Sequence, residues 1–199
     1  MKQFWNERYT EQDDIYGTEP NVFFKQELDK LQPGTLLLPG EGEARNAIYA
    51  AKKGWQVTAF DSSEVAVQKG LENAAKAGVS INYINTTTEG FTADPVSFDV
   101  VAMIYIHMQP DIRNVFHKKV IGWLKPGGTL ILEGFNTNQL DKTSGGPKDI
   151  NMLYTIDMLQ NDFNVLNIET LHTTIETLEE GAFHSGEAEL IRLVASKKA

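Results

Sequence analysis

The segment at residues 36–46, LLLPGEGEARN, constrains the fold of this chain more than any other. An apolar run ends there in a turn that contains Gly40 and Gly42, and a helix-forming sequence follows. Because glycine has no Cβ, the backbone at both positions can turn sharply and approach a ligand closely. The following helix would direct its free N–H groups toward the same place. The pattern predicts a strand, a tight turn and a helix around a bound ligand.

A carboxylate lies at the spacing that such a turn requires for a nucleoside. Residues 55–60 form a second apolar run that ends at Asp61, about 20 residues after the glycines. In sheets of this kind, an acid at the end of the second strand holds the ribose of a ligand bound at the end of the first strand. A plain loop also explains a Gly-x-Gly by itself. The added Asp61 is what indicates a nucleoside cofactor.

Two cofactors are compatible with this pattern. Nicotinamide dinucleotides prefer G-x-G-x-x-G/A, because the third small residue lets the helix and strand pack closely beside the pyrophosphate. Here Arg45 occupies that third position, and Ala44 comes one residue early. S-adenosylmethionine has no pyrophosphate and requires only close backbone approach to its amino-acid end and an acid for its ribose. The short turn therefore favours S-adenosylmethionine over a nicotinamide.

The composition excludes several classes of partner. The net charge is −9 and the basic residues are scattered, so the chain would repel polyanions, and a small molecule is a better substrate class than nucleic acid. No apolar run approaches the ~20 residues of a membrane span, and the N-terminus lacks a signal peptide's apolar region. Without cysteine there is no disulfide or thiolate ligand, which fits a cytoplasmic location. No metal-ligand cluster is evident, and a monomer or homodimer is expected.

Strand-like and helix-like segments alternate along most of the chain. This order predicts an α/β protein with a mostly parallel sheet, helices on both faces and right-handed crossovers. After the fifth strand, a loop with the composition of a mobile segment (136–149) and a short helix (151–160) precede two strand-like runs that predict a hairpin. The predicted strands are 35–38, 55–60, 81–84, 98–104, 129–135, 163–177 and 187–195, and the predicted longer helices are 20–31, 43–53, 63–77 and 110–124.

In this order, the motifs of the chain resemble class I S-adenosylmethionine-dependent methyltransferases of the small bacterial type related to tellurite-resistance and thiopurine methyltransferases. The resemblance implies a Rossmann-like, doubly wound, mostly parallel seven-stranded sheet with a C-terminal antiparallel β-hairpin. It also implies one domain over residues 1–199, with an N-terminal lid (1–33), a cofactor-binding core (34–135) and a substrate loop with the hairpin (136–199). The motifs are FWNERY (4–9), YGTEPN (16–21), PGEGEARNA (39–47), AFDSS (59–63), SFDVV (97–101), LKPGGTL (124–130), and Glu180-Gly181 through His184 to Ile191-Arg192.

The resemblance implies roles for residues at matching positions. Gly40 and Gly42 would line the methionine portion of the cofactor, Asp61 would take both ribose hydroxyls, and Ser62 would lie against the adenine edge. Thr87 stands where these families usually place an acid for the adenine amino group. The remaining expected cofactor contacts are Glu41, Arg45, Thr88 and Ile104.

Several residues are candidates for the acceptor side. His107 follows the fourth strand, where it would serve either as a base or as a structural histidine with satisfied hydrogen bonds. Tyr105 lies at the same rim, as a second catalytic candidate or as part of the core. The segment with Trp5, Arg8 and Tyr16 is interpreted as a lid over the site or as a surface helix. Glu179 and Glu180 are expected in a solvated turn.

These observations predict methyl transfer from S-adenosylmethionine to a small-molecule acceptor, such as a thiol or a tellurium or selenium compound. A soft nucleophile of that kind requires no strong base. Two alternatives stay open: a catalytically inactive protein that binds S-adenosylmethionine, and a nicotinamide-dependent oxidoreductase, which Arg45 and the final hairpin disfavour.

Overall fold

The computed structural model describes residues 2–198, which form one central sheet with helices packed on both faces. The strands are β1 (Thr35–Pro39), β2 (Gln56–Asp61), β3 (Asn82–Asn85), β4 (Phe98–Ile104), β5 (Leu124–Phe135), β6 (Asn167–Glu179) and β7 (Ser185–Ser196). The helices are α1 (Lys2–Glu11), α2 (Val22–Leu28), α3 (Arg45–Lys52), α4 (Glu64–Lys76), α5 (Pro110–Trp123) and α6 (Ile156–Asp162), with short 3₁₀ helices at Thr137–Asp141 and Ile150–Met152.

The sheet has the order β3-β2-β1-β4-β5-β7-β6. The pairs from β3 through β5 are parallel, whereas β7 runs antiparallel to both β5 and β6. The C-terminal hairpin therefore inserts its second strand next to β5. This confirms the predicted α/β, mostly parallel Rossmann-like sheet with its antiparallel hairpin, seven-stranded within the described residues.

The two faces of the sheet bury separate hydrophobic clusters. Along β1, Leu36 and Leu38 pack with Ala47 on the face covered by α2 and α3, whereas Leu37 packs with Phe116 of α5 on the other face. This alternation explains why β1 is apolar without interruption, since a central parallel strand is covered on both sides. Among residues 2–198, no helix combines the length and the apolar character that crossing a membrane would require.

The structure differs from the predicted boundaries mainly in the C-terminal half. β5 begins at Leu124 and not at residue 129, because Leu124 pairs with Phe98 of β4 and Gly127 and Gly128 exchange backbone hydrogen bonds with Lys197. The helix predicted at 151–160 is a 3₁₀ turn followed by α6, whose first turn is capped by the Thr155 hydroxyl, which accepts from the Met158 N–H at 3.2 Å.

The loop predicted at 136–149 contains the first 3₁₀ helix and is tied to β7. The side chain of Gln139 is fully buried, and its Oε1 accepts from the N–H of Glu189 at 2.8 Å. Its Nε2 donates to the Ser144 hydroxyl at 3.0 Å. The polar residues of this segment therefore bond to the hairpin and to each other, which composition alone does not reveal.

Candidate active site

The candidate site lies at the carboxyl edge of the sheet, above β1. This strand pairs with β2 on one side and with β4 on the other, so the chain leaves β1 toward one half of the sheet and later returns to the opposite half. In open α/β sheets, ligands bind in the crevice outside the carboxyl ends of the strands at such a switch point. The turns after β1, β2 and β4 surround this crevice.

The turn after β1 has the left-handed backbone that its glycines predict. Gly40 and Gly42 have φ values of +62° and +63°, and the N–H of Gly40 donates to the carbonyl of Phe60 at 2.7 Å. A Cβ on Gly40 would lie 3.2 Å from Cδ1 of Ile106, and one on Gly42 would lie 2.5 Å from the hydroxyl oxygen of Tyr9. Both positions therefore require glycine for its conformation and, at Gly42, also for space.

Asp61 ends β2 directly beside this turn. One carboxylate oxygen accepts from the N–H of Gly42 at 3.1 Å, and the other accepts from the N–H of Ser63 at 2.8 Å. Burial raises the pKa of Asp61, and the two N–H donors oppose this rise. Each oxygen keeps a further lone pair for a ligand hydroxyl. The carboxylate is thus already oriented at the crevice.

Three hydroxyl residues were predicted on the adenine side. Ser62 is half-buried next to Asp61, and Thr87 is exposed after β3. The Thr87 hydroxyl oxygen accepts from the N–H of Gly90 at 3.1 Å, whereas the Thr88 hydroxyl donates to the carboxylate of Glu89 at 2.7 Å. Sequence reasoning missed Glu89, which provides an exposed acid two residues beyond the position where the family usually has one.

Glu41 is used by the protein itself, although its position predicted a cofactor contact. α3 begins after Ala44, whose methyl side chain provides no hydrogen bond to the helix. The buried carboxylate of Glu41 supplies that cap, because it accepts from the N–H of Ala47 at 2.7 Å and from the side-chain amide of Asn46 at 3.3 Å. Burial raises the pKa of Glu41 to about 7. This arrangement assigns Glu41 a structural role in the turn.

Arg45 also has its guanidinium occupied by protein groups. It donates to the carbonyl of Tyr16 at 2.9 Å and to the carboxylate of Glu180 at 2.8 Å. The Glu180 side chain is only 12% exposed, so the expectation of a solvated turn is wrong for this residue. The ion pair joins residues 135 positions apart, which explains why neither side chain predicted the other.

The end of β4 places Ile104 and Tyr105 at the crevice. Ile104 is buried, and Tyr105 has a φ of +52°, a strained value for a residue with a large side chain. The Tyr105 hydroxyl is buried without a hydrogen-bond partner among residues 2–198. The centre of its ring lies 4.9 Å from the ring centre of Phe135 and 4.4 Å from the ring centre of His184. An unpartnered buried hydroxyl at this edge is suited to contact a bound ligand.

His107 has the structural role that the sequence left open. Its Nδ1 bonds to the carbonyl of Met152 at 2.8 Å, which requires a proton on that nitrogen, and its Nε2 accepts from the N–H of Phe135 at 3.1 Å. Burial lowers the pKa of His107 to about 4. Because both ring nitrogens are engaged, the imidazole is suited to joining two segments and not to accepting a substrate proton.

The N-terminal helix α1 packs over the glycine turn. The side-chain oxygen of Asn6 accepts from the hydroxyl of Ser63 at 2.7 Å. The ring centres of Trp5 and Tyr9 lie 6.0 Å apart, and the buried Tyr9 covers Gly42. The helix therefore contacts both turns that border the crevice, and its role as a lid stays a prediction. Tyr9 belongs to the FWNERY motif that the sequence placed in the lid segment, but its contact with Gly42 was not predicted.

The other two lid candidates meet the hairpin. The Arg8 guanidinium lies 3.9 Å from the centre of the Phe183 ring, and the ring of Tyr16 lies 4.6 Å from that of His184. His184 is buried, and its Nδ1 lies 3.6 Å from the carboxylate of Glu180, just beyond hydrogen-bond distance. The lid segment, the hairpin and the end of β4 therefore share one aromatic cluster.

The same part of the chain matches a known family. The profile described as "Methyltransferase domain" matches residues 37–128, which include the glycine turn, Asp61 and the end of β4. A curated relative, the ubiquinone biosynthesis O-methyltransferase of Rickettsia felis, is 28% identical over 97 residues. That match covers 49% of this chain and 39% of the relative, so the chain spans about two-fifths of the length of this relative.

Solved structures share the fold over nearly the whole chain. TehB from Haemophilus influenzae has a TM-score of 0.77 at 13% identity, over 98% of this chain and 67% of that chain. The N-methyltransferase NodS from Bradyrhizobium japonicum, in complex with S-adenosyl-l-homocysteine, has a TM-score of 0.76 at 13% identity, over 100% of this chain and 98% of that chain. At this identity, the likeness concerns the fold.

Proposed function

We propose that this chain, which belongs to the class I S-adenosylmethionine-dependent methyltransferases, transfers a methyl group from S-adenosylmethionine to a small-molecule acceptor. The observation that carries this proposal is the Asp61 carboxylate, held between the N–H groups of Gly42 and Ser63 at the carboxyl edge of the sheet. The net charge of −9 supports a small acceptor over a nucleic acid.

The residues at the edge fit this cofactor. Gly40 and Gly42 form the tight left-handed turn that would lie against the methionine portion, with Tyr9 covering Gly42 in this structure, and Asp61 offers its free lone pairs to the ribose hydroxyls. Ser62 and Thr87 would lie on the adenine side. When bound, S-adenosylmethionine supplies a methyl group activated by its sulfonium. The protein contributes alignment of the nucleophile and exclusion of water, for which the covering helix α1 is suited.

We further propose that the acceptor is a polarisable nucleophile, such as a thiol or a selenium or tellurium compound. Such a group attacks without a strong base, and both nitrogens of His107 are engaged in hydrogen bonds. The Tyr105 hydroxyl and the aromatic rings around it would contact the acceptor. The name of the curated relative favours an oxygen acceptor as the alternative.

Calorimetric titration tests the cofactor. We expect S-adenosylmethionine and S-adenosylhomocysteine to bind and NAD not to bind. Asp61→Asn keeps the shape of the side chain and removes its charge, so we expect affinity to fall about ten- to a hundredfold, since a hydrogen bond to a charged group contributes ~1.5–3 kcal/mol. Asp99→Asn is the matched control, because Asp99 bonds to Thr35 and Lys125 at the opposite edge of the sheet. Equal affinities for both variants, or binding of NAD alone, would overturn the proposal.

Formation of S-adenosylhomocysteine with a panel of acceptors tests the reaction. The panel contains an alkyl thiol, thiophenol, selenite, tellurite and a phenol. We expect turnover with the sulfur, selenium or tellurium acceptors, and turnover with the phenol alone would favour the oxygen alternative. Tight cofactor binding without turnover of any acceptor would support the catalytically inactive binding protein.

A further inference from the structure

We propose that Arg45 is a positioning residue that assembles the acceptor side of the site by joining the strap, residues 14–21, to the hairpin loop, residues 180–184. This inference rests on the function proposed above. Arg45 lies next to the glycine turn, so the sequence predicted that it contacts the cofactor. In the structure, the Arg45 guanidinium bonds to the strap and to the hairpin loop.

The strap is held through its backbone by side chains of the turn that follows β1 and of the first residues of α3. Because backbone groups are bound, the path of the strap is fixed whatever its own side chains contact. The contacts are Glu43 accepting from the N–H groups of Asp14 (3.0 Å) and Ile15 (2.9 Å), Arg45 donating to the carbonyls of Tyr16 (2.9 Å) and Glu19 (3.3 Å), and the Asn46 side-chain oxygen accepting from the N–H of Asn21 (2.9 Å).

Among these three side chains, Arg45 is the one that also reaches the hairpin, and Asn21 of the strap adds a side-chain hydrogen bond of 3.1 Å to the same Glu180 carboxylate. Arg45 bonds to Glu180, and the two side chains are only 10% and 12% exposed. The planar guanidinium donates in two directions at once, which a lysine ammonium on a flexible stem cannot reproduce in the same geometry. Burial opposes ionisation of Glu180, but the His184 imidazole and the Arg45 guanidinium lower the pKa of Glu180 to about 2. The ion pair is thus intact at neutral pH.

The two segments that Arg45 joins provide one wall of the acceptor site. Tyr16 of the strap lies 4.6 Å from His184 of the hairpin loop, which lies 4.4 Å from Tyr105 at the end of β4. These are distances between ring centres in van der Waals contact. Asp61 receives its hydrogen bonds from Gly42 and Ser63 and not from Arg45. Loss of the Arg45 contacts would therefore leave the strap joined to Glu180 by the Asn21 hydrogen bond and free the carbonyls of Tyr16 and Glu19, so the acceptor wall would shift while the ribose-binding carboxylate stays in place.

The test compares Arg45→Lys and Glu180→Gln with a matched buried pair. Arg113→Lys is the control, because Arg113 bonds to Asp162 at 3.0 Å with side chains 9% and 14% exposed, between α5 and α6. With thiophenol as acceptor, we expect the KM for thiophenol to rise at least tenfold in both test variants, with kcat changed less and the calorimetric Kd for S-adenosylmethionine within twofold. The control should change none of these values.

A second readout requires no ligand. Chymotrypsin cleaves after Tyr16 only when the strap detaches from the turn and from α3. We therefore expect cleavage after Tyr16 to be at least fivefold faster in Arg45→Lys and Glu180→Gln than in the wild type or Arg113→Lys. Unchanged cleavage, or a tenfold weaker cofactor Kd with an unchanged acceptor KM, would overturn the proposal. If the wild type does not bind S-adenosylmethionine, the proposed function fails, and the cleavage rates still decide whether Arg45 holds the strap.

Discussion

The buried carboxylate of Glu41 makes the stability of the protein dependent on pH in a direction that can be worked out. Its carboxylate caps α3 and is almost excluded from water, and burial raises its pKa from 4.5 to about 7. Replacement by glutamine, Glu41→Gln, keeps an oxygen that can accept from the N–H of Ala47. The variant removes the charge and preserves the shape of the side chain.

The sign follows from proton binding. Between pH 4.5 and about 7, Glu41 binds more protons in the folded state than in the unfolded state, so folding stability falls as pH rises through this window. Each pH unit in the window costs the wild type about 1.4 kcal/mol, which amounts to about 3 kcal/mol above pH 7. Glu41→Gln does not carry this cost. We therefore expect the variant to match the wild type near pH 4.5 and to be more stable by up to about 3 kcal/mol at pH 8.

Urea unfolding at pH 4.5, 6, 7 and 8 measures this difference directly, because the other titrating groups are common to both proteins. Glu187→Gln is the control. Glu187 is exposed and pairs with Lys142, whose hydrogen bond lowers the pKa of Glu187, so its replacement should give no gain that grows with pH. A constant difference between Glu41→Gln and the wild type from pH 4.5 to 8 would refute the reasoning. A large loss of S-adenosylmethionine affinity in Glu41→Gln would instead indicate that Glu41 contacts the cofactor, as the sequence predicted.

Three further substitutions, one of them with a matched control, test other parts of the site. Gly42→Ala and its control Gly78→Ala both place alanine at positive φ, which should lower the free energy of unfolding by about 1–2 kcal/mol in each variant. Nothing lies within 4 Å of a Cβ on Gly78, so only Gly42→Ala should also displace α1 and weaken cofactor binding in calorimetry. His107→Ala leaves the N–H of Phe135 without its acceptor, so urea unfolding should show a loss of about 1–3 kcal/mol with the cofactor Kd unchanged. Tyr105→Phe removes an unpartnered buried hydroxyl, so thermal unfolding should show no loss of stability while turnover falls; a loss above about 1 kcal/mol would indicate a partner for that hydroxyl.

Local sequence patterns predicted the framework because each depends on neighbouring residues. β4 occupies Phe98–Ile104, as its nearly all-apolar run predicted, and α4 begins after Ser63, whose hydroxyl caps the helix. The spacing of Gly42 and Asp61 placed a carboxylate beside the turn, and the structure joins them by a hydrogen bond of 3.1 Å. These features follow from hydrophobic periodicity, capping and turn chemistry within short segments.

The sequence did not predict which distant residues the polar side chains would bond to. β5 starts early because Leu124 pairs with Phe98 and the following glycines bond to Lys197, and His107 is engaged by groups 28 and 45 positions away. The sequence therefore determined which elements form and which edge of the sheet holds the ligand-binding turn. Only the tertiary structure decided that Glu41 caps a helix and that Arg45 holds the strap, because a buried charge takes the partner that packing brings within hydrogen-bond distance, wherever it lies along the chain.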